Sequence, residues 1–363
     1  LCACFSSVLF ACEDGETVEP TEKKPLAFNE PYFEKLSEPL SEDLIYSKGV
    51  SLKRNAVIQS VDIAKNGDIY YVQIAGSSQH QLNVLRGAPN ATNPSECMVF
   101  EFFGHGTNMA VEEAADGTYI WLGSHGNKGS DKSYGGSQTI CRVKYEPGTS
   151  VQLAGGDVFH LKGTRNIHPA INVEKDLLGV QYSKKVSGVN TRVFVTYRLS
   201  EAMKLAPVDV ALEPLKYGGE DEATSEKTVT LTVKARELSQ LQPLYQFAVS
   251  DGHGGSVGEL AFQGYDIDEQ FVYYYEGMGY LEVDPSKAYV SVLDKNGLLS
   301  ARKEVAAVAD AEKLNEFGMT DRGYMEAEGI KVKNGTLYLG FASRKMEGKD
   351  DKRLANILIY RNK

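Results

Sequence analysis

The side chains able to do chemistry in this 363-residue chain are few and unevenly placed. Six histidines are present, His80, His105, His125, His160, His168 and His253, and three precede glycine, in His105-Gly106, His125-Gly126 and His253-Gly254. Imidazole can hold a metal or move a proton near neutral pH. Glycosidase chemistry needs two acids flanking a sugar bond, and the candidates are Glu326 and Glu328, with Asp62 and Asp266. Aromatic faces stack on sugars while amides fix hydroxyls; Trp121, Tyr274 and Tyr338 with Gln59, Asn108 and Gln263 make such a set. Second-strand aromatics also pack between sheets, so a core role competes for all three rings. No Walker loop, dinucleotide fingerprint, zincin HExxH or Gly-x-Ser-x-Gly elbow is present.

Positioning these groups falls to a repeat. Five segments share an alternating strand, a turn, an aromatic second strand and a third strand further on, which predicts an all-β fold, a five-bladed β-propeller. Their first strands are Gln59–Ile63, Thr107–Val111, His168–Val173, Gln263–Ile267 and Glu328–Val332. Asn66-Gly67, Asp116-Gly117 and Asn334-Gly335 are hairpin turns, since both central residues tolerate positive φ. Leu44–Leu52 is expected to supply the missing outer strand of the last blade and close the ring, removing an exposed sheet edge. Two short helices are expected, Glu201–Leu205 and Ala306–Glu316. The longer gap between the third and fourth copies, near 218–234, reads as a blade insertion lying on one face, with an acidic loop and a strand at Thr228–Lys234.

Aligning the first strands puts Gln59, Thr107, Pro169, Gln263 and Glu328 in one column, and Ser60, Asn108, Ala170, Gly264 and Gly329 in the next. The second column is small, as convergence on a crowded axis requires. The first is mostly polar and predicts a ring around a channel mouth. His105 and His168 immediately precede inner strands and join it; His125, after a second strand, is expected at the other end of its hairpin. Asp62 and Asp266 alternate away from the two glutamines and read as blade-packing residues. The ligand-binding set is therefore Gln59, His105, Asn108, His168, Gln263 and Glu328, with Glu328 and His105 as catalytic candidates. A central cation such as calcium could sit among ring oxygens of Glu328 and the two glutamines.

The net charge of −10 and pI near 5.3 argue against nucleic acid and against a basic face for anionic membranes. Residues 1–12 read as a signal-peptide remnant, in which Leu9-Phe10-Ala11-Cys12 resembles the lipobox of bacterial lipoproteins, with Cys12 as the lipidated residue. Glu13-Asp14 resembles a surface-export signal of Bacteroidetes-type lipoproteins, so an exported, outer-membrane or cell-surface lipoprotein is expected. Residues 13–43, rich in Glu, Lys and Pro, read as a flexible acidic tether, and 44–363 as one propeller domain. Cys97 and Cys141 could be paired or be two buried thiols. The oligomeric state is not specified by any pattern here.

Gly104-His105-Gly106-Thr107-Asn108 with Tyr119-Ile120-Trp121, Phe262-Gln263-Gly264 with its Tyr-rich strand, and Ala327-Glu328-Gly329-Ile330 resemble the helveticin J and teichoic-acid biosynthesis protein C families and related phage receptor-binding proteins. The resemblance covers about residues 53–363 and implies a five-bladed propeller associated with bacterial surfaces and cell-wall polymers. Pro169 departs from the polar column and breaks the symmetry of the ring. The expected function is a surface-anchored module that binds a glycan or cell-wall polymer at the channel mouth. The alternative is an extracellular hydrolase or lyase acting on a carbohydrate or ester.

Overall fold

The computed structural model describes residues 24–75, 80–128, 134–186, 188–217, 225–250, 257–279, 286–321, 325–347 and 350–362. The expected signal remnant, Cys12 and residues 13–23 lie outside them, as does the acidic loop at 218–224. Five antiparallel meanders surround one axis, and their inner strands are Ile58–Ile63, Ala110–Ala114, His168–Asn172, Ala261–Ile267 and Met325–Lys333. We number the blades 1 to 5 in that order. Of the predicted turns, Asn334-Gly335 has both central residues at positive φ, 50° and 67°, the backbone a two-residue hairpin of this twist needs, while at Asn66-Gly67 and Asp116-Gly117 only the glycine does. Ile45–Ser51 pairs antiparallel with Asp350–Arg361 as the outer strand of blade 5, so the chain's two ends close the ring.

Each seam between neighbouring blades holds one apolar cluster, because alternate residues of every strand face the next blade. Blades 1 and 2 meet through Val72, Leu82 and Phe100 against Met109, Ile120 and Leu122. In the seam of blades 2 and 3, Trp121 stacks on Phe159 with centroids 5.0 Å apart. Trp121 is fully buried and donates Nε1–H to Glu112 Oε2 at 2.8 Å. It is a core residue, and so is the fully buried Tyr274 in the seam of blades 3 and 4.

The tether needs correction, and the insertion and the two cysteines take definite form. The segment 24–43 is no tether: Tyr32, Phe33, Leu36 and Leu40 are buried in the seam of blades 4 and 5, through a short helix Pro31–Glu34 and a 3-10 turn. Their apolar surface outweighs the Pro- and Glu-rich composition that suggested disorder. Of the insertion, residues 218–224 lie outside the described ones, and Leu215–Tyr217 pairs with Lys227–Val229 in a hairpin whose Lys216 N donates to Asn127 Oδ1, beside the upper end of blade 2. Thr232–Glu237 and Val208–Ala211 leave blade 3 and add two strands to the outer edge of blade 2, the first parallel to Asp157–His160. Cys97 and Cys141 are both buried and unpaired. The helices form at Leu199–Lys204 and Ala311–Glu316, the latter capped by Asp310, whose side chain accepts from Lys313 N.

Candidate functional site

The propeller has two mouths, an upper one where the inner strands begin and a lower one where they end. All six predicted ligand residues belong to the upper one, and the structure separates them into structural and available groups. Asn108 is fully engaged. Its Nδ2 donates to Pro169 O at 2.6 Å and its Oδ1 accepts from Tyr265 N at 3.1 Å, tying blade 2 to blades 3 and 4. Ser60, one column-mate, donates to Gly106 O at 2.7 Å. A Cβ on Gly264 would stand 3.0 Å from Asn108 Oδ1 and 3.5 Å from Gly329 Cα; one on Gly329 would stand 2.9 Å from Val61 N. Both glycines have positive φ, 132° and 104°, so this layer of the axis has no room for side chains.

Immediately above that layer the ladders of blades 1, 4 and 5 carry β-bulges, between Ile58 and Ser60, Phe262 and Gly264, and Ala327 and Ile330. The residues in the bulges are Gln59, Gln263, and Glu328 with Gly329. A bulge re-aims a side chain out of the regular pleat, which is how three equivalent strands deliver polar groups to one mouth. Blade 3 pairs without a bulge from His168 to Asn172, in keeping with Pro169 at its second position. Gln59 and Gln263 are half-buried, and Gln263 Nε2 reaches Gly277 O at 3.5 Å.

Glu328 and His168 are the most unusual members. Each retains 6% of its surface, and no hydrogen bond joins either side chain to a described residue. Burial raises the Glu328 carboxyl well above the ordinary range, and the neighbouring Glu326 carboxylate adds to it. Glu326 is itself raised by burial, against the opposing charges of Arg353 and Arg344. His168 goes the other way, lowered to about 3 by burial, then by the charges of Arg192 and His105. Burial thus pushes both groups toward their neutral forms, and His168 is neutral at pH 7. Beside His168 the Arg192 guanidinium lies 4.3 Å from the centroid of the Phe262 ring, and His105 is half-buried.

His125 does not sit at the far end of its hairpin. An antiparallel second strand returns to the level where the first began, so His125 lies at the upper end, where Gly126 N donates to Phe102 O. It is buried, its Nδ1 is 2.7 Å from Thr139 Oγ1, and burial lowers it to about 4.

Asp62 and Asp266 are blade ties, as their alternation predicts. Asp62 Oδ2 accepts from Val111 N at 2.6 Å, and Asp266 Oδ2 from Val332 N at 2.7 Å; each fastens its inner strand to the next blade. Lys333 pairs with Asp62 at 2.5 Å. Lys331 is buried in the same layer with no hydrogen bond at Nζ, and Asp266 Oδ1 is likewise unpartnered. Burial raises Asp266 to about 6 despite the nearby Lys331 charge.

Below this layer opens a feature that the sequence did not signal, a cavity of about 380 Å³ at the lower mouth. All five blades and the N-terminal segment line it, among them Val111, Asn172, Asp268, Lys333 and Tyr338. Tyr338 therefore belongs to the mouth opposite Gln59 and Gln263. For a cation, the upper mouth offers two carboxylates, and among the described residues no group of three or more His, Cys, Asp or Glu gathers to hold a metal. Calcium draws on six to eight oxygens, which these acids do not supply by themselves.

No protein-family model matches the sequence, and no curated protein matches it. Among solved structures the chain is similar to Drosophila Plexin A in complex with Semaphorin 1b, at 10% identity and a TM-score of 0.36, over 86% of this chain and 66% of that one. It is similar to Drosophila Semaphorin 2a at 10% identity and 0.32, over 81% and 51%. The polysaccharide lyase Uly1 matches at 9% identity and 0.32, over 90% and 95%. The chain thus spans 66% and 51% of the plexin and semaphorin chains. Likenesses this distant carry no argument about activity. The strand order and ring closure themselves make the chain a five-bladed β-propeller.

Proposed function

We propose that this propeller is a surface-anchored binding module that recognises a glycan or cell-wall polymer at the upper mouth. The observation that carries the reading is the pair Glu328 and His168, nearly buried and without hydrogen-bond partners among the described residues. Buried polar groups are ordinarily satisfied, and one left open is expensive unless something completes it. A carboxyl that burial shifts toward its protonated form, beside a neutral imidazole, can offer donors as well as acceptors. That suits the hydroxyls of an uncharged polyol, with Gln59 and Gln263 adding amides and Phe262 an apolar face. The anchor in this proposal is Cys12 of the lipobox-like segment, tested by metabolic labelling with a radioactive fatty acid and its loss in Cys12→Ser.

A glycan array probed with the wild type, Glu328→Ala and Gln263→Ala tests the site. Binding should fall in both variants; binding that persists unchanged in both removes the upper mouth from consideration. Turnover of a bound glycan that disappears in Glu328→Gln or His105→Gln would put a hydrolase or lyase in place of the binding module.

A further inference from the structure

The lower mouth has its own recognition chemistry. The cavity of about 380 Å³ lies within the range of small-molecule sites. It is separated from the upper mouth by the glycine layer, in which Gly264 and Gly329 leave no side-chain space. Its depth is apolar, with Ile63, Val111, Ile171 and Val332.

Its charges are already committed. Lys65 pairs with Glu174 at 3.7 Å and Lys175 with Glu269 at 3.2 Å. Lys333 binds Asp62 and also donates to Ile63 O at 2.6 Å. Glu113 accepts from Lys65 N at 2.7 Å, Glu30 from Asn362 Nδ2 at 3.2 Å, and Asp268 from Tyr273 OH at 2.7 Å. The lining groups left without hydrogen bonds to described residues are neutral and sit together on the blade 5 hairpin: the Asn334 amide, the Thr336 hydroxyl and the Tyr338 hydroxyl.

An apolar floor under a cluster of open neutral donors and acceptors, walled by lysines in ion pairs and acids that already accept hydrogen bonds, favours an uncharged ligand over a free ion. We propose that the lower mouth is a second binding site, for an uncharged hydroxyl- or amide-bearing ligand of one or two sugar rings with an apolar face. The site does not depend on the upper one. No polymer runs through the axis to join them.

The test titrates chitobiose and cellobiose into the full chain by ligand-observed NMR, with inorganic phosphate and glucuronate as charged probes. At least one disaccharide should bind in the millimolar range. Tyr338→Phe, which removes only the hydroxyl, should weaken it roughly three- to ten-fold. Thr336→Tyr should fill the mouth and remove binding, and Glu328→Ala should leave it unchanged. The proposal is overturned if neither disaccharide binds, if only the charged probes bind, or if Tyr338→Phe and Thr336→Tyr bind like the wild type. Loss of glycan binding at the upper mouth, read in Glu328→Ala, would leave this result standing.

Discussion

The two mouths are built from the same five strands, yet they handle charge in opposite ways. At the lower mouth every rim lysine has a carboxylate within 4 Å, and the acids of the layer above it accept backbone N–H groups from the next blade. At the upper mouth Glu328 and His168 are nearly buried, have no such partners, and are shifted by burial toward their neutral forms. The lower half uses Asp62, Asp266 Oδ2 and Lys333 to hold the ring together. The upper half leaves Glu328 and His168 open, and an open buried group in a folded protein is a candidate for function before it is a candidate for stability.

The harshest way to break this comparison is to spoil the layer that divides the mouths. Gly329→Ala places a Cβ 2.9 Å from Val61 N on a backbone with φ of 104°, and should cost at least about 3 kcal/mol, read as a lowered midpoint in urea. Next in size are two pH effects of opposite sign. Asp266 holds its proton up to about pH 6, above its ordinary 3.8, so the folded chain keeps a proton that the unfolded chain has released. That stabilisation is present at pH 4 and lost as pH rises through 6. Asp266→Asn should therefore gain about 2–3 kcal/mol relative to wild type between pH 4 and 7. His168 is depressed from 6.5 to about 3, so its contribution is present above pH 6.5 and lost as pH falls toward 3. His168→Gln should gain a similar amount, about 2–3 kcal/mol, when pH drops from 7 to 4. Urea titrations of both variants at the two pH values check the pair, and slopes of the same sign would erase the contrast. Smallest is the exposed rim pair: Lys65→Ala should change stability by less than about 0.5 kcal/mol, since Lys65 and Glu174 are well solvated.

The ring itself was legible because its cause is local. Alternating strands recur in each blade, with Asn-Gly or Asp-Gly turns in blades 1, 2 and 5, and the same alignment that gave the repeat gave the small column at the axis. Strand exchange between blades was not legible. Ser150–Gln152 leaves blade 2 to pair parallel with Glu96–Glu101 of blade 1, and Thr232–Glu237 leaves blade 3 for blade 2. Edge pairing depends on where a loop returns in space, and no turn signal encodes that. The N-terminal segment hid its order behind composition. Tyr32, Phe33, Leu36 and Leu40 follow a helical spacing that Pro and Glu neighbours masked. Of the upper site, the columns found Gln59, Gln263 and Glu328 but could not say that Asn108 is spent on Pro169 and Tyr265. The lower cavity was missed because its open groups, Asn334, Thr336 and Tyr338, lie on a turn and a second strand, outside the aligned columns.

The central claim, that the open upper mouth is where the propeller recognises its ligand, is tested most directly by one affinity comparison. The strongest glycan from the array is titrated by calorimetry into wild type, Glu328→Ala and Thr336→Tyr. Affinity should fall about ten-fold or more in Glu328→Ala, the loss expected for an interaction near 1.4 kcal/mol, and stay at the wild-type level in Thr336→Tyr. Undiminished binding by Glu328→Ala, with loss in Thr336→Tyr, would contradict the account and move recognition to the lower mouth.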